Sequence, residues 1–251
     1  MRLKFLIPLV ILISGCSIPQ TRTPLPTLHI VRAGFSPSTV IWQDQLQTCV
    51  QSLPGTALGS YQYPDYISII EPDRLDFFIQ LGDKLPTSAY ATQLGKVNIV
   101  WISHAGSSIH RLTYQQLADL YQGNASISES SGSIRSPKID LWLYPIGSEL
   151  AEFLFTQIRV PNQVIAAAYL APDPEAMLQA VSENPQAIGY IPESWLQQNP
   201  IDLSVQEIQI TSSQADDFIP EIQVFAVAPS EPKSLGRQAL LCLKDQLSPS
   251  P

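Results

Sequence analysis

The sequence predicts an α/β fold in which mixed sheets are flanked by helices. In residues 138–158 a short apolar run is broken by Pro145 and Gly147, and apolar residues then recur at helical spacing. This pattern predicts a strand, a tight turn and a helix. Residues 28–50 repeat the same order, with a turn rich in glycine and hydroxyl groups. About 225 residues follow residue 27, which suffices for one large domain or two lobes.

Taken in order, the first half predicts strands at residues 28–32, 56–63, 75–81 and 96–104. A helix follows the first strand and stops at Pro54-Gly55. Thr113 and Gln116 fit the capping-box pattern, and Gly123 is placed as the C-terminal stop of the helix that they begin.

In the second half, residues 166–171 predict a strand. Asp173 as N-cap and Pro174 at the first helical position predict a helix that runs through Ser182. Residues 185–190 and 222–227 predict two further strands. Apolar residues between positions 235 and 247 recur at the spacing of a closing amphipathic helix.

The N-terminus indicates export. Arg2 and Lys4 precede nine mostly apolar residues, too few for a membrane-crossing helix, which needs about 20. We therefore expect residues 1–15 to be a signal peptide. Ile13-Ser14-Gly15-Cys16 resembles the lipobox of bacterial lipoproteins, which implies cleavage before Cys16 and a lipid on its thiol. Residues 16–27 would then be the lipidated cysteine and an extended spacer. We expect a protein anchored by lipid at the outer face of the bacterial cell membrane or in the periplasm.

The net charge and the cysteine spacing argue against a nucleic-acid partner, a metal and a cofactor. Without residues 1–15 the chain has 12 basic and 22 acidic residues, a formal net charge of -10, so we expect no nucleic-acid partner. Cys49 and Cys242 lack metal-ligand spacing to each other or to a histidine, and we expect neither a metal nor a cofactor. In an oxidising compartment these two cysteines either pair or remain as buried thiols.

Two stretches carry a family resemblance. LTYQQLADLYQGN at residues 112–124 and PDPEAMLQAVSENPQAIGYIP at residues 172–192 resemble the phosphate-binding subunit family of phosphate ABC importers. The resemblance implies a two-lobed type 2 periplasmic-binding-protein fold with a solute in the cleft between the lobes. Lobe one would comprise residues 28–97 and 205–251, and lobe two residues 98–204. It also implies a monomer that works with an ABC permease.

The resemblance implies a set of ligand-binding residues. Members of this family hold an anion on the amides and hydroxyls of two turns at helix starts. Each lobe contributes one of these turns, and an aspartate accepts the phosphate proton. Carried over, Phe35 and Ser36 would serve from the first lobe, Asp76 would accept the proton, and Gly147 and Ser148 would form the second-lobe turn. Helix-start N-H groups suit an anion, although Ser148 is equally placed as a plain N-cap.

The chain departs from the family pattern at the second-lobe turn. The family's Gly-Ser-Gly-Thr is Gly147-Ser148-Glu149-Leu150 here, so Glu149 brings a carboxylate to the position of the anion. The basic residue expected shortly before this turn is absent from residues 143–146. Two hypotheses follow: a solute-binding lipoprotein for a small molecule or oxyanion, or a degenerate member that binds no phosphate and acts as a sensor or partner-binding lipoprotein.

A third hypothesis, a hydrolase with Ser148 as nucleophile, lacks sequence support. A nucleophile elbow requires Gly-x-Ser-x-Gly, whereas Ile146 and Leu150 occupy the glycine positions. No histidine follows Ser148 in the chain. We expect no catalytic residue and no enzymatic activity.

Overall fold

The structure is a computed structural model that describes residues 27–65, 69, 74–82, 85–123, 139–158, 168–198, 204–211 and 220–247. The expected signal peptide, Cys16 and all but the last residue of the spacer lie outside these ranges. The strands are β1 (His29–Phe35), β2 (Thr56–Gln62), β3 (Phe77–Leu81), β4 (Tyr90–His104), β5 (Arg111–Thr113), β6 (Asp140–Leu143), β7 (Tyr169–Leu170), β8 (Ala187–Pro192), β9 (Val205–Thr211) and β10 (Glu221–Ala228). The helices are α1 (Gln43–Gln51), α2 (Tyr114–Tyr121), α3 (Glu149–Ile158), α4 (Pro174–Glu183), α5 (Glu193–Gln198) and α6 (Ser234–Leu247).

The strands form two sheets that share β4. The first sheet has the order β2-β1-β3-β10-β4, in which β1 is parallel to β2 and β3, and β10 is antiparallel to both of its neighbours. In the second sheet β8 and β9 pair with β4, and β6 and β7 continue beyond β8. Because α1 packs on β2 and α4 packs on β8, the predicted class of mixed sheets flanked by helices is confirmed.

β4 connects the two lobes. Its residues 90–98 pair with β10 in the first sheet, and its residues 99–104 pair with β8 and β9 in the second. Each sheet therefore belongs to one lobe, and one continuous strand passes from the first lobe to the second. The chain returns to the first lobe between β9 and β10.

The helix-start signals in the sequence are confirmed. The Thr113 hydroxyl accepts from the Gln116 amide, and the Gln116 side chain accepts from the Thr113 amide, which completes the capping box of α2. Asp173 caps α4 by accepting from the Ala176 amide, and Pro174 lies in the first turn. These bonds satisfy N-H groups that have no partner within the helix.

Elements that depend on long-range pairing are not predicted by the local pattern. β4 begins at Tyr90 and not at the expected Lys96, because residues from Tyr90 onward pair with β10. β9 and α5 have no clear signal in the sequence. β9, at residues 205–211, pairs with the second half of β4 and with β5.

A disulfide joins α1 to α6. Cys49 and Cys242 are bonded, with their Cα atoms 5.8 Å apart, so the structure confirms the paired alternative. The two residues are separated by 193 positions. The bond therefore ties the start of the first lobe to its closing helix, and it does so with Cys49 buried.

We predict that Cys49→Ala combined with Cys242→Ala lowers the free energy of unfolding. In the chain-entropy model a loop of this length contributes at most about 5 kcal/mol. Urea unfolding with and without reductant measures the effect. The reductant should destabilise the parent and leave the double variant unchanged, whereas equal midpoints for parent and variant under oxidising conditions would contradict the prediction.

Candidate functional site

A cleft of about 450 Å³ lies between the first sheet and α3. Its lobe-one wall consists of Asp65 and residues 80–82 and 221–223, which belong to the end of β3 and the start of β10. Because these strands are antiparallel neighbours, with Leu81 opposite Val224, the two segments meet at one edge of the sheet. The lobe-two wall consists of Gly147 and one face of α3 from Glu149 to Gln157.

Glu149 connects the two walls. It is the first residue of α3 and follows Ser148, whose hydroxyl accepts from the Ala151 amide at 3.3 Å and caps the helix. The Glu149 Oε2 atom accepts a hydrogen bond of 2.8 Å from the hydroxyl of Ser36. Ser36 belongs to the first lobe and Glu149 to the second, so this bond links the lobes directly.

The other carboxyl oxygen of Glu149 lacks a hydrogen-bond donor. Oε1 has almost no solvent-accessible surface, and neither the Leu81 amide nor the Ser38 hydroxyl, which approach the carboxyl group, bonds to it with normal geometry. Burial raises the pKa of Glu149 to about 8; the Ser36, Leu81 and Ser38 groups partly offset this rise, and the charge of Asp65 adds to it. The Glu149 carboxyl is therefore mostly protonated at neutral pH.

The loop after β1 fixes the position of Ser36. The Ser36 N-H lies 3.0 Å from the Ile79 carbonyl oxygen of β3 and 3.0 Å from Thr39 Oγ1. The Thr39 hydroxyl donates to the same Ile79 carbonyl at 2.8 Å. Both the amide and the hydroxyl of Ser36 are therefore already bonded within the protein.

A second hydrogen bond joins this loop to the second lobe. The indole N-H of Trp195, on α5, donates to the carbonyl oxygen of Ser38 at 2.9 Å, and this bond is buried. The loop that carries Ser36 thus contacts lobe two through both α3 and α5.

The structure brings only some of the expected site residues to the cleft. Gly147 lines it, with a φ of 90° that favours glycine. Ser36 reaches it through its bond to Glu149. The Phe35 side chain is buried in the core of the first lobe, and Ser148 caps α3 while its own N-H donates to the Pro145 carbonyl.

Asp76 does not reach the cleft. It precedes β3, and its Oδ2 accepts from the backbone N-H of Arg32 at 2.7 Å. Since β1 and β3 are parallel, Ser36 lies beside Ile79, three residues further along β3 and thus about 10 Å away. The expected proton acceptor therefore lies at the opposite end of the strand.

Three further carboxylates line the cleft and are not singled out by the sequence. They are Asp65, Glu152 and Glu221. The spacing of Glu149 and Glu152 within α3 places both on one helix face, a signal that sequence reasoning could have used. No local signal brings Asp65 and Glu221 to the same site, because the pairing of distant strands positions them.

In the described ranges, no group of three or more His, Cys, Asp or Glu side chains is arranged to hold a metal ion. No helix there is both long enough and apolar enough to cross a membrane.

Comparison with known proteins shows the fold. The sequence matches no protein family and no curated protein. A candidate phosphate ABC transporter substrate-binding protein with bound phosphate from Clostridium perfringens matches 86% of this chain and 93% of its own at 16% identity, with a TM-score of 0.69. An ABC-type phosphate transport receptor from Vibrio cholerae matches 85% of this chain and 93% of its own at 16% identity, with a TM-score of 0.58.

A regulatory domain has the same architecture. The reduced OxyR regulatory domain from Pseudomonas aeruginosa matches 89% of this chain and 98% of its own at 12% identity, with a TM-score of 0.62. At these identities the likeness establishes the fold alone. The chain has a type 2 periplasmic-binding-protein-like fold, which confirms the expected fold class.

We predict that Glu149 makes the protein less stable as pH rises from about 4 to 8. Its folded pKa of about 8 lies above the usual value of about 4.3 for an unfolded chain. The folded state therefore binds one proton more over this interval. The resulting stabilisation is complete below about pH 4 and is lost as pH approaches 8, at up to about 1.4 kcal/mol per pH unit.

Urea unfolding at several pH values measures this dependence. Glu149→Gln should reduce the slope, because the amide does not titrate. Glu207→Gln, which removes an exposed carboxylate on β9, is the matched control and should keep the slope of the parent. An unchanged slope in Glu149→Gln would show that Glu149 titrates normally in the folded state.

Proposed function

We propose that this chain is a solute-binding lipoprotein of an ABC importer that holds a small molecule other than phosphate between its lobes. The proposal rests on the position of the Glu149 carboxyl group. It lies in the cleft, where the resemblance implies an anion, and bonds to Ser36 of the opposite lobe.

The cleft has the properties of a small-molecule site. Its volume of about 450 Å³ falls within the range of about 300–1,000 Å³ that is usual for ligand pockets. Apolar side chains from both lobes line it beside the polar ones, including Leu81 and Phe153. Two lobes joined through β4 and through the segment between β9 and β10 can close around a ligand by a hinge motion.

Three features of the cleft disfavour phosphate. The amide and hydroxyl of Ser36, which the resemblance assigns to the anion, donate within the protein. The Ser148 amide is likewise used, by the Pro145 carbonyl at 3.0 Å. A phosphate dianion would also approach three carboxylates besides Glu149, and like charges weaken binding.

The importer role and the anchor rest on the sequence and on the neighbours. The signal segment and the Ile13-Ser14-Gly15-Cys16 motif support export and lipid attachment. The names of the two bacterial neighbours refer to phosphate ABC transport. A lipid-held monomer would deliver its solute to a permease that recognises the closed lobes.

A second candidate is a sensor or partner-binding lipoprotein with the same fold. The bond between Ser36 and Glu149 favours it, because an internal carboxyl group joins the lobes where a ligand otherwise would. The OxyR neighbour shows that regulatory domains also use this architecture.

Calorimetric titration of the mature chain, residues 16–251, at pH 7 tests the proposal. We predict no binding of inorganic phosphate or sulfate at millimolar concentration. We also predict a saturable isotherm for a member of a panel of amines, amino acids and sugars.

Glu149→Gly provides the sharpest comparison. It restores the glycine that the resemblance implies at this position and frees the Ser36 hydroxyl, so we predict weak phosphate binding, limited by the three remaining carboxylates, where the parent shows none. Glu207→Gly, at an exposed position of β9, should show no phosphate binding. Micromolar binding of phosphate by the parent would refute the proposal. If a folded sample binds no compound of the panel, the second candidate is favoured.

A further inference from the structure

The charges that line the cleft indicate a class of solute, an inference that rests on the solute-binding function proposed above. Besides Glu149, the lining includes Asp65 after β2, Glu152 on α3 and Glu221 at the start of β10. None of the described lining residues is Lys, Arg or His. The exposed ammonium of Lys96 lies 3.0 Å from Glu221 and partly neutralises it. The described lining therefore carries more acidic than basic side chains, which favours a positively charged ligand.

Within this cleft, one oxygen of the Glu149 carboxyl group has no hydrogen-bond partner. Its Oε1 atom is buried and unbonded, while Oε2 accepts from Ser36. A buried polar atom without a partner is costly, and a ligand that donates to the ionised carboxylate would remove that cost. The cleft is open at the turn that precedes α3, because no atom lies within 4 Å of the position that a Cβ on Gly147 would take.

The remaining lining determines the other part of the ligand. Leu81, Phe153 and Ile222 line the same cleft and offer apolar surface from both lobes. A ligand that fits this lining combines an apolar body with a positively charged donor group. Hydrogen bonds of such a group to a carboxylate are stronger than those between neutral groups.

We infer that the cleft binds an organic cation, with an amidinium, guanidinium or ammonium group that donates to Glu149 Oε1 and an apolar body that packs on Leu81, Phe153 and Ile222. Asp65, Glu152 and Glu221 add to the attraction without direct pairing to the cation.

Binding is coupled to one proton. The carboxyl group of Glu149, whose pKa burial raises to about 8, releases its proton to solvent, and the resulting carboxylate pairs with the cation. Affinity for a cation therefore increases as pH rises towards 8.

Three compounds of nearly equal shape test the inference on the mature chain. Benzamidine is a cation, benzamide is neutral and benzoate is an anion. In NMR titrations at pH 7 we expect benzamidine to shift resonances of Gly147 and Phe153 and to bind at least about tenfold more tightly than benzamide. Benzoate should not bind. Benzamidine affinity should increase between pH 6 and pH 8.

Variants separate the role of Glu149 from the general charge. Glu149→Gln should weaken benzamidine binding by about tenfold or more and abolish its pH dependence. Glu207→Gln, at an exposed position of β9, is the same substitution outside the cleft and should behave like the parent. Equal affinity for benzamidine and benzamide, tighter binding of benzoate, or undiminished benzamidine binding by Glu149→Gln overturns the inference.

The outcomes also distinguish this inference from the proposed function. If benzamidine fails to bind but a neutral or anionic member of the solute panel binds in the cleft, the inference is overturned and the solute-binding function stands. If neither benzamidine nor any member of the panel binds, both are overturned.

Discussion

The hydrogen bond from Ser36 to Glu149 is the interaction on which the account of this cleft depends. It places a carboxyl group at the junction of the two lobes, 2.8 Å from the hydroxyl that precedes the first helix of lobe one. Hydrogen bonds to the Thr39 hydroxyl and the Ile79 carbonyl hold the backbone of Ser36 in the loop. The Glu149 carboxyl group therefore lies where the resemblance to phosphate-binding proteins implies an anion and its hydrogen-bond donors.

Glu149, at the start of α3, is thus the residue that makes this cleft differ from the phosphate site that the resemblance implies. The sheets, the connecting strand β4 and the turn at Gly147 all agree with a type 2 periplasmic-binding-protein-like architecture. Glu149 extends from the first turn of α3 into the cleft of that architecture. Burial raises the pKa of its carboxyl group, so we expect this environment to disfavour an anionic ligand and to favour a cationic one.

The sequence predicts what depends on neighbours along the chain. The capping of α2 by Thr113 and of α4 by Asp173 follows from short-range patterns, and both are present. The position of Asp76 shows where such patterns stop being informative. Its strand is parallel to β1, so its start lies far from Ser36, and only the pairing of the two strands reveals this.

The same limit applies to the site. The sequence places Glu149 at the start of α3 but contains no information that Ser36, 113 residues away, donates to it. The carboxylates of Asp65 and Glu221 meet at the cleft through the antiparallel pairing of β3 and β10 and the course of the chain after β2. The most direct measurement is a ¹³C NMR titration of the Glu149 carboxyl group, assigned by its loss in Glu149→Gln. The account predicts a pKa of about 8, and a pKa near the usual value of about 4.3 would contradict it, since the group would then be exposed to water and not held in the cleft.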